Sequence, residues 1–269
     1  GRMKFGCCLN MVSSGPDGTG MEWIPQAAMA GCDYLELPLA EIMHMMEPEF
    51  LALKQRLGDG GIRCRACNNF FPVILRLIGE RQERERALKY AYAALQRAGS
   101  LGTSCVVFGS GAARCIPDGI SYEAGYGQIV GLLRSLSPVA GFYGIDLAIE
   151  PLRKAECNII NTFKEGGSLA KDVNERNIKV LVDFYHLCEE KESLDHISNY
   201  GKGHLLHVHM ADPEHRGFLR DSNRKEYDAF FQALKGAGYD HAISFEAYSR
   251  NFINDLKKSL IIGNELWQS

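Results

Sequence analysis

Four side chains able to hold a divalent cation stand at or next to the ends of short apolar runs: Glu150 closes IDLAIE, Asp183 closes IKVLVD, His209 lies in LLHVHM and Glu246 closes AISFE. The runs recur about one strand plus one helix apart. In an alternating βα chain the carboxyl ends of parallel strands converge on one face, and that face carries the chemistry of such folds. Three carboxylates and one imidazole suit Mn²⁺, Mg²⁺ or Co²⁺, whereas a structural zinc site would favour thiolates. One divalent ion is therefore expected, Mn²⁺ first, with Mg²⁺ or Co²⁺ as alternatives. Carboxylates beside such an ion can remove and return a proton next to a carbonyl.

Strand parity supports the grouping, because neighbouring residues on a strand point to opposite faces. Asp146, Ala148 and Glu150 share one face, and Ile145, Leu147 and Ile149 the other. Leu181 and Asp183 oppose Val180 and Val182, His207 and His209 oppose Leu206 and Val208, and Ala242, Ser244 and Glu246 oppose Ile243 and Phe245. A single strand-ending carboxylate is most often only a helix cap. Four candidates of matching parity on consecutive strands read better as one site.

The elements that must position them form eight repeats of strand then helix. Strands are predicted at 4–9, 34–37, 62–67, 104–108, 145–149, 178–182, 204–208 and 242–245. Helices are predicted near 22–30, 49–57, 82–97, 122–136, 162–173, 193–199, 225–234 and 252–267. In the third of these Leu88, Tyr92 and Leu95 recur at helical spacing, and Gly99 reads as the stop. Eight parallel strands with right-handed crossovers close most simply into a (β/α)₈ TIM barrel, an α/β single domain over 1–269, with a doubly wound open sheet as the other reading.

With 269 residues, 46% hydrophobic and 23% charged, the chain can bury a large core. A net charge of −3 argues against an extended nucleic-acid or membrane surface. No apolar run approaches the roughly 20 residues of a membrane span, and GRMKFGCCLN lacks the long apolar region of a signal peptide. Nine cysteines, an odd number, cannot form a complete disulfide framework, and reduced thiols in the cytoplasm are the simpler reading. Cys64 and Cys67 form a C-x-x-C on a predicted strand, where residues three apart face opposite sides; Cys67 alone reads as a pocket wall. Gly109-Ser110-Gly111 lacks a phosphate-loop pattern and reads as a flexible loop. The charged run 80–86 reads as a solvated helix face, with Glu85 and Lys89 at pairing distance.

At its strand ends the sequence resembles the xylose-isomerase-like barrel family of sugar isomerases and epimerases, in particular its ketose 3-epimerase branch. The resemblance covers nearly the whole chain and is carried by AIEPLRKAECNIINT, VLVDFYHLCEE, LLHVHMADPEHRG and ISFEAY, in the family's order. It implies that Glu150, Asp183, His209 and Glu246 bind the metal and that Glu150 and Glu246 double as acid/base catalysts. It implies further that Glu156, His186 and Arg216 hold substrate oxygens. The implied partner is a small sugar or polyol, with no nucleic acid and no membrane; a homo-oligomer is left open. The implied reaction is epimerisation or isomerisation of a ketose through an enediolate. A metal-dependent lyase or dehydratase acting on an inosose-like polyol or keto-glycoside is the alternative, since it shares the first deprotonation. An endonuclease-IV-like hydrolase of the same clan needs extra histidines on the third and fourth strands, where this chain has Cys67-Asn68 and Phe108-Gly109.

Overall fold

Eight short strands, each buried along most of its length, hydrogen-bond in chain order and close on themselves, so that the last pairs with the first. The computed structural model describes residues 1–269. The strands are β1 (Lys4–Cys8), β2 (Tyr34–Pro38), β3 (Cys64–Asn68), β4 (Cys105–Phe108), β5 (Asp146–Ile149), β6 (Ile178–Asp183), β7 (Leu205–Met210) and β8 (Ala242–Phe245). All neighbours run parallel. This is the (β/α)₈ barrel expected, and it excludes the open sheet.

One face of each strand packs outward against the helices. Phe5 on β1 stacks on Phe245 of β8 with ring centroids 5.7 Å apart and meets Phe231 of the helix Arg224–Gly236. The other face fills the barrel. Ala66, Cys105, Val107, Ala148 and Leu181 form a small apolar cluster there. Tyr34, Glu36, His207 and Ser244 fill the remainder as a buried polar group. The alternation read from β5 and β6 thus separates the large outer core from the barrel interior.

The long helices follow the predictions with extended ends. The third covers Arg81–Leu101 and passes through Gly99, ending at Gly102 instead. Gly99 is small because Tyr143 packs directly against it. The next runs Tyr122–Phe142, continuing beyond Leu136 with Pro138 inside it. Glu85 pairs with Arg81 at 2.8 Å, not with Lys89.

Three short helices absent from the sequence reading, Leu39–Met43, Gly111–Arg114 and Phe184–Glu189, follow β2, β4 and β6 at the carboxyl end of the barrel. Cys64 and Cys67 also depart from expectation. A register irregularity between β2 and β3 brings their sulfurs within 3.9 Å, both buried, so the two do not point to opposite sides. No helix is long and apolar enough to cross a membrane.

Candidate active site

Strand pairing brings the four candidate residues together. Asp183, the last residue of β6, pairs with His209 on β7, and His209 pairs with Ser244 on β8. Glu150 and Glu246 stand one residue past β5 and β8, and their N–H groups donate to Phe108 and Met210 carbonyls at 3.0 Å, continuing the ladders. Donor atoms of Glu150, Asp183, His209 and Glu246 all lie within 4.8 Å of one another, and all four residues are buried. His209 Nδ1 is central: Glu150 Oε2 is at 3.0 Å, Glu246 Oε2 at 3.3 Å and Asp183 Oδ2 at 3.7 Å.

Electrostatics of this cluster favour a cation. Burial, then the neighbouring Glu246, raise Glu150 to about 7, and the same two causes raise Asp183 to about 6. Burial opposes ionisation of Glu246 too, but His209 and Arg216 outweigh it and hold Glu246 below the ordinary carboxylate range. Burial opposes charge on His209, yet Glu36 and Glu246 hold its imidazole well above the ordinary value. Buried carboxylates this close cannot all ionise cheaply without a counter-charge. The donor set, three carboxylate groups and one imidazole nitrogen, fits a divalent ion of the Mn²⁺ or Mg²⁺ kind.

Asp183 also caps the short helix after β6, accepting from His186 N at 3.1 Å through Oδ1 while Oδ2 faces His209. Capping and membership of the cluster are therefore not exclusive. His186, on that helix, is 3% exposed. Its Nδ1 accepts the Arg153 N–H at 3.1 Å, which puts the ring proton on Nε2, a buried atom with no partner in the protein. Burial lowers its pKa, so the ring is neutral and Nε2–H is a free donor.

Arg216 reaches the cluster because His215 and Arg216 both adopt left-handed backbone, at φ 62° and 52°. Such conformations are costly outside glycine and concentrate at functional loops. They turn the guanidinium inward over the Tyr185 ring, 4.6 Å from its centroid, with Nη2 2.6 Å from Glu246 Oε1. Glu156 lies 3.6 Å from Arg216 and 3.8 Å from His186, and also pairs with Arg153 at 2.7 Å. The seven residues named from the sequence thus meet at one end of the barrel. A cleft of about 300 Å³ opens over them, lined by Glu150, Glu156, His186, Arg216 and Glu246 and by the Asn10 and Asn68 side chains.

Sequence reasoning missed several contributors. Asn68, not Cys67, walls the cleft: Cys67 is fully buried, whereas Asn68 donates to Asn10 at 3.1 Å and leaves Oδ1 without a partner. Gly109 serves close packing, not flexibility, because a β-carbon there would fall 2.5 Å from Glu150 Oε1. Glu36 accepts from both histidines of β7 in the barrel interior.

Arg114, completely buried, donates to five carbonyls: Phe108, Gly109, Glu150, Ile159 and Ile160, at 2.8 to 3.3 Å. It ties the backbone of Glu150 to the segment that follows. Arg114→Met should leave these acceptors unpaired and lower stability by roughly 3 kcal/mol. Urea unfolding should show the loss as a lower midpoint at unchanged slope; an unchanged midpoint would show that water replaces the guanidinium without cost.

A closed eight-stranded barrel with a carboxylate and imidazole cluster at the carboxyl ends of β5 to β8 defines a class of fold and site. A family profile of the xylose isomerase-like TIM barrel matches residues 24–266, and the chain belongs to that family. The ketose 3-epimerase of Arthrobacter globiformis is 31% identical over 126 residues, 46% of this chain and 43% of that protein. The L-ribulose 3-epimerase of Mesorhizobium japonicum is 29% identical over 136 residues, 50% of this chain and 45% of its own. The chain therefore matches less than half the length of these curated relatives. A D-psicose 3-epimerase crystallised in the presence of D-fructose superimposes with a TM-score of 0.87 at 19% identity, covering 99% of this chain and 100% of its own, a match of fold.

Proposed function

We propose that the chain, acting as one catalytic barrel domain over 1–269, is a divalent-metal-dependent ketose epimerase or isomerase. The observation that carries this reading is the convergence of Glu150, Asp183, His209 and Glu246 beside buried polar atoms that have no partner in the protein. The epimerase names of the relatives support the choice of reaction. Glu150, Asp183, His209 and Glu246 would hold one ion, Mn²⁺ first and Mg²⁺ or Co²⁺ as alternatives, whose charge would offset that of an enediolate.

The remaining chemistry belongs to the chain. Glu150 and Glu246 project from β5 and β8, with β6 and β7 between them around the rim, and so approach a bound ketose from different directions. One carboxylate removes the proton next to the carbonyl and the other returns it, at the same carbon for an epimer or at the neighbouring carbon for an aldose. His186 Nε2–H donates to a substrate oxygen. Arg216 binds a second oxygen while holding Glu246 in place, and Glu156 accepts from a hydroxyl. Asn68 Oδ1, Arg216 Nε and His186 Nε2 are the buried groups a hydroxyl-rich ligand would satisfy. The free cysteines, seven of them buried, support a reducing, cytoplasmic setting.

The test is solvent isotope exchange. Purified chain loaded with Mn²⁺ and incubated with D-fructose, D-tagatose and related ketoses in deuterated water should place deuterium at the reacting carbon, and chelation should abolish the exchange. Absence of exchange from every ketose with the ion bound would overturn the reading. A product that has lost a β-substituent would assign the lyase chemistry instead.

A further inference from the structure

The polar half of the barrel interior lies below the cleft and takes no part in the proton transfer described above. Glu36, in the middle of β2, is completely buried, and two histidines face its carboxylate. Its Oε2 lies 2.6 Å from His209 Nε2. Its Oε1 lies 2.7 Å from His207 Nε2 and accepts from Ser244 Oγ at 2.8 Å, and Tyr34 OH stands 2.6 Å from the same serine oxygen. An ionised carboxylate can only accept, so each ring nitrogen facing it carries a proton. In the neutral ring of His209 this leaves the lone pair on Nδ1, the atom that faces Glu150, Asp183 and Glu246.

The backbone makes room for the arrangement. β1 lies between β2 and β8, and its inward residue level with Tyr34 and Ser244 is Gly6, where a β-carbon would sit 2.6 Å from the Tyr34 ring. Tyr34 and Glu36 can therefore reach past β1 to Ser244 and the histidines. A buried carboxylate is costly where an apolar side chain would fill the same space, so this one calls for a role beyond packing.

We propose that Glu36 is a positioning residue for the site. It fixes the tautomer and ring orientation of His209 so that Nδ1 points into the cluster, with His207, Ser244 and Tyr34 holding the carboxylate in place. Outer carboxylates of this kind set ligand orientation and basicity in metal centres. The inference rests on the metal-dependent reading given above. One rival arrangement exists in the same structure: donor atoms of Cys8, Glu36, His209 and Glu246 also lie within 4.8 Å of one another, which would make Glu36 and His209 Nε2 ligands of a deeper ion.

Two measurements on the full chain decide between them. In calorimetric titration with Mn²⁺, the wild type should bind one ion. Glu36→Gln, whose amide must turn its NH₂ toward one of the acceptor-demanding contacts, should bind it about 10- to 100-fold more weakly. Affinity in the variant equal to wild type overturns the positioning role alone; a wild type that binds no ion overturns this inference together with the reading beneath it. In ¹⁵N–¹H correlation spectra of Mg²⁺-saturated wild type, His209 should carry its proton on Nε2. A proton on Nδ1, or a second ion lost on Cys8→Ser, assigns the deeper arrangement and overturns the proposal. The spectrum needs no variant, so it decides the question even if Glu36→Gln does not fold.

Discussion

In metal-saturated protein, glutamine at position 150 or 246 is expected to slow turnover of a ketose by roughly 10²- to 10⁴-fold while the chain keeps its fold. The substitution preserves size and one carbonyl oxygen, so it tests proton transfer more than packing. An amide can neither take the proton from the carbon acid nor return it. The two sites need not behave alike in exchange: a variant missing only the residue that reprotonates the opposite face can still wash solvent deuterium into recovered substrate without forming product. Combining both substitutions should add little to the worse single one, because residues that act on one proton-transfer path are not additive. Metal-loaded variants turning over at the wild-type rate would show that neither glutamate moves the proton, even with the metal site intact.

The strand-tip residues were legible because two simple periodicities coincide at them. Alternation within a strand sets the face, and the βα repeat sets the end of the barrel, so Glu150, Asp183, His209 and Glu246 could be grouped before any distance was known. Glu36 obeys the same alternation and could have been found: a carboxylate between Leu35 and Leu37 in a strand with every residue buried must have an inward partner. His207, two residues before His209, gave the matching signal from β7. Arg114 carried no such mark, since its role depends on the loop after β4 folding under residues 159 and 160, about forty-five positions away. The Cys64 and Cys67 sulfurs meet through a strand irregularity that no residue pattern announces. The placement of Arg216 depends on two successive left-handed residues, neither of them glycine. Local sequence thus reports side-chain parity well and loop geometry poorly, because parity is a property of each strand while loop paths are settled by distant contacts.

The gain in thermal stability on metal binding should increase from pH 5 to pH 7.5. In the cation-free fold, burial and Glu246 raise Glu150 to about 7 and Asp183 to about 6, both above their values in an unfolded chain. Between the unfolded and folded values the native state holds more protons than the unfolded one, so its stability falls as pH rises through that window. His209 acts in the same direction: its neighbours raise it despite burial, so the native state keeps that proton above the pH at which the unfolded chain releases it. Glu246 is held below its ordinary value, and its opposite contribution is complete below pH 5. A bound ion requires Glu150 and Asp183 ionised and Nδ1 of His209 free, so it removes these penalties and its binding releases protons. Melting curves of chelated and Mn²⁺-loaded protein should therefore diverge as pH rises, and at pH 6 the binding heat should vary with the ionisation enthalpy of the buffer. Asp183→Ala, which removes one ligand and one of the titrating groups, should weaken binding and reduce the proton release together. A stability gain that stayed constant from pH 5 to 7.5, with no proton release at pH 6, would show that the ion binds somewhere other than this buried cluster.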